Sequence, residues 1–434
     1  MTTESLDHPL RYMVANELHA RPAPILRAPC HAVFVALKKP RDAANRDRAE
    51  DRAHLLEFLN RFGAPHPPED ADHYSGPVGR HFLIWENHTE FTTYTVFVDG
   101  VAERPFDPTA YEVLPAEWLA RAPGKRLTSA FVRVEPVAEG DVEALAERVG
   151  TWFSPENLAI SRVNDASAVV ATDFMVDPSG HIRFAVFVRE GTSDRRLGRI
   201  VQRLLEIEAY KSMALLALPK ARAAADMVNR LDVILAEHVA RMNDKATPAN
   251  ETLDALLDIA SEIENRVATT AYRFSATKAY AEIVRERIAM LREQSFQGRQ
   301  TIREFMVRRF EPAMRTCLSS AERLEALALR AKRAGDLLGT RVEVERSEQN
   351  QELLATMNRR AELQLRLQHT VEGFSIIALS YYAVNLVSYA LYPYAGKALG
   401  LDKAHLTAIT VLPVVLVVWA VITLTRRRLE RGGH

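Results

Sequence analysis

Apolar and polar positions follow three different rhythms along the chain. Up to about residue 192, short apolar runs alternate with polar clusters, the mark of strands and amphipathic helices in one α/β segment. Ala32–Leu37 reads as a strand, Arg48–Phe62 as a helix with Leu55, Leu56 and Leu59 on one side, and Tyr12–Ala20 as a helix stopped by Pro22 and Pro24. Ala64–Pro77, rich in Pro, Asp and His, reads as a loop. His81–Trp85 with Tyr94–Val98, and Ala168–Thr172 with Phe184–Val188, look like two β-hairpins. The second has the turn signal Asp177-Pro178-Ser179-Gly180, and Val142–Val149 supplies a helix before it. The likeness of the two pairs fits a duplicated ββ unit sharing a sheet. It equally fits the resemblance that any two alternating segments have.

From Asp194 the period becomes helical. A helix rich in Leu and Ile runs to Pro219, Arg222–Met242 makes a second, and Thr252–Leu291 a third. Pro312 marks the start of a last helix, with no further proline before Pro393. The stretch 312–372 would extend roughly 90 Å at the α-helical rise, which is a stalk. Leu324, Ala328, Ala331, Gly335, Leu338 and Val342 alternate four-three as a coiled-coil seam, and the seam resumes at Leu367 and Val371. Packing on a second copy and packing on Arg222–Leu291 explain the soluble stretch equally well.

The third rhythm is uninterrupted hydrophobicity. Phe374–Tyr394 and Leu406–Thr425 each carry no charge over about twenty residues, the length that crosses a roughly 30 Å hydrocarbon layer. They predict a transmembrane hairpin at 373–425. The expected organisation is therefore α+β: a cytoplasmic α/β domain at 1–192, a helical domain at 193–311, a stalk at 312–372, the hairpin, and a basic tail at 426–434. Arg359, Arg360 and Arg366 precede the hairpin, and Arg426, Arg427, Arg428 and Arg431 follow it, against Lys397 and Lys403 in its loop. The positive-inside rule then places both termini in the cytoplasm of a cell whose inner membrane holds a multi-pass protein. The first residues lack the basic and apolar regions of a secretory signal. Tyr381, Asn385, Ser388 and Tyr392 lie on one face of the first span and continue the heptad seam. Polar groups in hydrocarbon turn toward protein or water. This face is a candidate for helix packing in a homo-oligomer, or for the wall of a pore.

Composition narrows the partners. The 56 basic residues balance the 56 acidic ones, which gives no electrostatic reason to expect nucleic acid. Two cysteines, Cys30 and Cys317, are too few for a disulfide framework or a cysteine-based zinc site.

Ala15-Asn16-Glu17-Leu18-His19-Ala20-Arg21-Pro22, Leu204-Leu205-Glu206-Ile207-Glu208, and Thr370-Val371-Glu372-Gly373 leading to Ser380-Tyr381-Tyr382 carry a resemblance along nearly the whole chain. It resembles a bacterial family of membrane-anchored proteins of uncharacterised function. The resemblance implies an anchored product and no particular activity. The order of elements is also similar to the CorA-type transporters of magnesium and zinc, homo-pentamers whose first span lines the pore. That likeness implies a divalent-cation channel as the alternative function. Their Gly-Met-Asn signature is replaced here by Ala383-Val384-Asn385, and the loop carries Lys397, Lys403 and His405 beside Asp402.

Chemistry is sparse. No P-loop, GxGxxG or HExxH motif is present. Glu17, His19 and Arg21 form the most concentrated polar cluster and could orient a substrate, although Glu17 and Arg21 also have the spacing of a surface ion pair. His66 and His73 with Asp70 and Asp72, or His81 with His88, could share a metal only if the fold brought them together. Glu206 and Glu208 point to different faces of their helix, one of them toward an arginine such as Arg199 or Arg203. The expectation is a membrane-anchored homo-oligomer that is not an enzyme, needs no cofactor, contacts membrane lipid, and uses its α/β domain as a binding or regulatory module.

Overall fold

Alternating side chains in nine strands build one mixed sheet with a core on each face. The computed structural model describes residues 7–8, 10–17, 22–242, 249–396, 400 and 402–431. The strands are β1 (Cys30–Lys38), β2 (His73–Val78), β3 (His81–Asn87), β4 (Thr92–Asp99), β5 (Lys125–Val137), β6 (Ala159–Val163), β7 (Ala168–Thr172), β8 (Ile182–Arg189) and β9 (Gln294–Ser295). Their order in space is β2-β3-β4-β1-β5-β8-β7-β6-β9. Val33, Val35, Trp85, Tyr94, Phe131 and Phe187 face one core, with Leu55, Phe58 and Leu59 of α2 (Arg48–Arg61) and Trp118 of α3 (Ala116–Ala120). α4 (Leu145–Gly150) adds Leu145 and Val149 to the same core. The intervening Ala32, Phe34, Val132, Phe184 and Val186 face the other core, against α5 (Asp194–Leu215), α7 (Ala249–Met290) and the start of α8 (Ile302–Leu391). Each fully buried aliphatic or aromatic side chain is worth about 1.5–3 kcal/mol, so this two-faced sheet is the main source of stability.

The hairpin likeness has a structural counterpart with a difference. β3 pairs with β4, and β7 with β8, both antiparallel, in one sheet. Each half also runs strand, helix, three-stranded meander, in the spatial orders β1-β4-β3-β2 and β5-β8-β7-β6. But β1 and β4 are antiparallel while β5 and β8 are parallel, so the two halves do not superimpose as repeats. The turn expected at Asp177–Gly180 is present. Gly180 N–H donates to the Asp177 carbonyl at 2.9 Å, and Asp177 Oδ1 accepts from the backbone of Ser179 and His181.

His181, just past that turn, makes the fold sensitive to pH. Its ring stacks on Phe131 at 3.9 Å. Burial, with Arg126 nearby, lowers its pKa from 6.5 to about 4. The unfolded chain therefore binds a proton below pH 6.5 that the folded chain refuses until about pH 4. Stability is expected to fall as pH drops through that window. His54, lowered by burial between Tyr94 and Trp118, adds a contribution of the same sign. The urea midpoint of the detergent-solubilised protein between pH 7 and 4 checks this. His181→Phe keeps the stacked ring and should flatten the slope; an unchanged slope would remove His181 from the account.

Several boundaries differ from the sequence expectation. His73–Val78 is an edge strand rather than loop, and an edge accommodates Pro77 because its missing N–H need not join a ladder. Pro219 sits in the first turn of α6 (Leu218–Arg241), so it opens that helix instead of closing α5. Pro312 lies inside α8, which begins ten residues earlier at Ile302. The start is set by a capping box: Glu304 N–H donates to Thr301 Oγ1 at 3.1 Å, and Thr301 N–H to Glu304 Oε2 at 2.8 Å. Glu293 reinforces it by accepting from the N–H groups of Ile302 and Arg303.

The chain divides into two compact units, Met1–Gly335 and Asp336–His434. α5, α7 and the first turns of α8 complete one core of the sheet within the first unit. In the first unit, Leu324, Leu327, Ala331 and Ala334 of α8 are buried. The expected seam shares Leu324 and Ala331 with this set but used Ala328 and Gly335 where Leu327 and Ala334 are buried. Arg323 donates to Asn229 Oδ1 at 2.6 Å and Arg330 pairs with Asp232, so α6 takes this side of α8 within one chain. The second unit holds the rest of α8 and α9 (Lys403–Arg431). Among the described residues these are the two helices long and apolar enough to cross a membrane.

Candidate functional site

Where α5 leaves the sheet partly uncovered, a cleft of about 230 Å³ opens over β2, β3, β4 and β1. Strand register lines up its floor. His73 faces Glu86, Glu86 faces Thr93, and Thr93 faces Ala36, so β2, β3 and β4 present an imidazole, a carboxylate and a hydroxyl in one lateral row. The next row is Ser75, Ile84, Thr95 and Phe34. The pleat sends both rows to the same face because they are two residues apart on each strand. Gln202, Leu205, Glu206 and Tyr210 of α5 and Arg287 of α7 form the opposite wall. Pro22 and Pro24 form the rim.

The polar groups are held in place. Arg287 pairs with Glu206, and Gln202 Nε2 donates to the same carboxylate at 3.0 Å. His88 Nε2 lies 3.7 Å from Glu86 Oε2, and its ring stacks on Phe91 at 4.2 Å. His73 Nδ1 lies 3.1 Å from Asp72 Oδ1. Tyr210 stacks on Tyr280 with ring centres 5.6 Å apart. A cavity whose floor mixes polar groups with Ile84 and Phe34, and whose charge pairs are fixed, suits a small amphiphilic ligand held by orientation. Its carboxylates are already engaged by Arg287, Gln202 and His88, which favours recognition over proton transfer.

Beneath the cleft, the turn after β3 is locked from two sides. Arg46 is buried and reaches the carbonyls of His88 (2.6 Å), Phe91 (3.1 Å) and Thr89, together with Asn87 Oδ1 and Asp51. Glu90, 1% exposed, pairs with Arg273 and with Lys38 at 3.4 Å, and accepts from Tyr280 Oη at 3.1 Å. Burial pushes the Glu90 carboxyl up, but Arg273 and Lys38 outweigh it and hold the group below the usual carboxylate range. Apart from His88, none of these residues was singled out from sequence, since a lone Arg or Glu in a polar loop carries no pattern.

The residues that were singled out fare differently. Of Glu17, His19 and Arg21, only the backbone of Glu17 is described, as the last residue of α1 (Arg11–Glu17); the Glu17 side chain, His19 and Arg21 lie outside the described residues. His73 and His88 both line the cleft, whereas His66 bonds Asn60 and His81 sits at the far end of β3 from His88. Among the described residues no group of three His, Cys, Asp or Glu is placed to hold a metal ion. Glu206 and Glu208 do diverge, but their partners are Arg287 and Lys211; Arg203 turns instead to the Met290 carbonyl.

In the second unit the polar face of the apolar end of α8 is divided. Ser388 is buried and its hydroxyl lies 3.1 Å from Thr410 Oγ1 of α9. Asn385 Nδ2 donates to the Tyr381 carbonyl of its own helix at 3.0 Å, while Tyr381 and Tyr392 are exposed. The mostly aliphatic α9 thus supplies Thr410 as a polar partner that its composition did not suggest.

No curated protein and no solved structure matches the chain. The model of the family described as "Protein of unknown function (DUF3422)" matches residues 6–429, nearly the full length, and the chain belongs to that family.

Proposed function

We propose that this chain is a non-enzymatic, membrane-anchored binding module. Its sheet unit recognises a small amphiphilic ligand in the cleft above His73, Glu86 and Thr93. The hairpin of α8 and α9 anchors it in a bacterial inner membrane with both termini cytoplasmic, and α8 pairs with the same helix of a second copy. The carrying observation is what the two apolar helices leave uncovered. Only 17% and 11% of their most apolar windows are buried, whereas the core helix of a soluble protein is mostly buried. Phe374, Leu386 and Leu412 are 69%, 70% and 72% exposed. A lipid environment covers such side chains at no cost. Leu353, Met357, Leu367 and Val371, also exposed, keep heptad spacing into Phe374 and supply an edge that the same edge of a second copy would bury. The Ser388–Thr410 contact supports a packing role for the polar face over a cation path.

Thiol labelling tests the anchor and its direction. Cys30 and Cys317 are buried, and burial raises both thiols, Cys30 to about 12, so background labelling should be low. An impermeant maleimide added outside spheroplasts should label Gly400→Cys and leave Gly432→Cys untouched until the membrane is opened. The opposite pattern would refute the orientation, and recovery of the protein from carbonate-washed supernatant would refute the anchor. A monomeric mass by light scattering in detergent would remove the pairing.

A further inference from the structure

On the other side of the Glu90 turn lies a second and larger cleft, about 840 Å³, bounded by the loop after β1 and by the starts of β5 and α6. α7 closes it with Thr269, Tyr272 and Arg273. Its charge is lopsided in a chain whose totals cancel. Arg41, Lys125, Arg126 and Lys220 line it, and none of them makes an ion pair or a side-chain hydrogen bond among the described residues. Its carboxylates are Asp42 and the buried Glu90, and Glu90 is already shared by Arg273 and Lys38.

A second observation separates this cleft from an ordinary solvated basic face. Arg273 is 8% exposed, its Nη2 serves Glu90, and its Nη1 is buried with no hydrogen-bond partner among the described residues. A buried guanidinium donor left unpaired is rare, because the lost water is not replaced. Burial also pushes the Lys38 ammonium below its usual range, despite Glu90, and the neighbouring Arg273 charge adds to the effect. One carboxylate facing two buried cations leaves a positive surplus that an incoming anion would neutralise. At the mouth, Tyr272 is 51% exposed and offers an aromatic ring beside the cations.

We propose that this cleft binds a soluble polyphosphorylated ligand of the nucleoside triphosphate class, its phosphates on Arg126, Lys125, Lys220, Arg41 and Arg273 and its planar base on Tyr272. Guanidinium and ammonium groups suit phosphate, the Arg as a fork and the Lys as a point charge. An aromatic face accepts any base by stacking. The volume is within the range of small-ligand sites, and the concave wall fits a compact polyanion better than a flat lipid surface. The chain has no glycine-rich phosphate loop, so side chains rather than backbone N–H groups supply the donors. This site is separate from the His73 cleft and does not depend on the reading given to it.

The test uses the full-length protein in detergent at about 0.15 M salt, where weak surface attraction is screened. Equilibrium binding is measured with ATP, with inorganic tripolyphosphate, and with vesicles containing phosphatidylglycerol. ATP and tripolyphosphate should both saturate. The pair Arg126→Glu with Lys220→Glu should weaken both at least tenfold; both side chains are exposed and unpaired among the described residues, so the fold should persist, as unchanged circular dichroism would verify. Arg126→Ser with Lys220→Ser should give the same direction with a smaller loss. Tyr272→Ala should weaken ATP about tenfold and leave tripolyphosphate unaltered. Absence of saturable binding by either phosphate, or affinities indifferent to both pairs, overturns the site. Vesicle binding that depends on these residues, without competition by ATP, assigns the cleft to a lipid headgroup and overturns the soluble ligand. Equal loss of both probes in Tyr272→Ala overturns the base-stacking role.

Discussion

Arg46→Ala should destabilise the sheet unit by about 3–5 kcal/mol, the range for removing one partner of a buried ion pair. The side chain is only 2% exposed and Asp51 opposite it 7%. Removing the guanidinium leaves that carboxylate buried without its cation. It also leaves the carbonyls of Thr89, His88 and Phe91 without the donor that gathers them. Those carbonyls belong to the turn whose side chains reach both clefts, His88 on one side and Glu90 on the other. The loss should therefore appear twice: as a lower unfolding midpoint in urea, and as faster hydrogen exchange across 87–92. Arg46→Lys should recover little, because one ammonium cannot reproduce a planar fork spread over six acceptors, the Ala43 carbonyl among them. A midpoint within about 0.5 kcal/mol of the parent, the usual scale for a surface change, would show that the turn is held by other means.

What could be read from the sequence follows from how local each signal is. α2 and β1 were legible because their apolar period is complete within the element. The apolar helices were legible for the same reason, since length and lack of charge are properties of one segment. β2 was not, because His73-Tyr74-Ser75-Gly76-Pro77-Val78 is a poor strand by propensity and exists only because β3 offers a ladder to an edge. The thirteen residues of β5 include polar ends and central positions buried on both faces, which blur any alternation. The start of α8 was legible in principle, through Thr301 and Glu304, but Pro312 is the louder local signal and it is tolerated inside the helix.

The sites lay deeper still. His73, Glu86 and Thr93 come together through strand register, a long-range property that no spacing along the chain reveals. Glu90 and Arg273 are 183 positions apart, and Glu206 and Arg287 are 81 apart. A seam of alternating apolar residues in 324–338 fixed that α8 had a buried side but not which partner covered it; the bonds from Arg323 and Arg330 to α6 decide that for the first unit. The cationic cleft was hidden by the opposite effect. Charge counted over the whole chain sums to zero, and only folding gathers Lys125, Arg126 and Lys220 around one cleft.

Gly198→Ala reverses the ordinary sign of a helix substitution. Within a helix, alanine is favoured over glycine by about 1 kcal/mol, so a free surface would gain stability. Gly198 lies in the second turn of α5, buried beneath the strap that runs from Pro22 to β1. A Cβ built there falls 1.7 Å from the Pro24 carbonyl oxygen and 2.7 Å from its carbon, both backbone atoms. The strap has little room to yield. Leu26 is 5% exposed in the sheet core, and its N–H donates to the Asp194 carbonyl at 3.2 Å. Relieving the overlap means lifting Pro24 off α5, and Leu26 partly with it. The expected cost is about 2–5 kcal/mol, combining overpacking with lost burial of one leucine. Because Pro22 and Pro24 rim the His73 cleft, the variant should also open that cleft and free the strap backbone at Arg27, whose side chain is already 84% exposed, for cutting by trypsin. Leu26→Ala is the companion: it should loosen the strap without the clash and reproduce the new cut. A Gly198→Ala protein as stable as its parent, with no new cleavage near Arg27, would mean that the strap does not rest on α5 and that the cleft has no fixed rim.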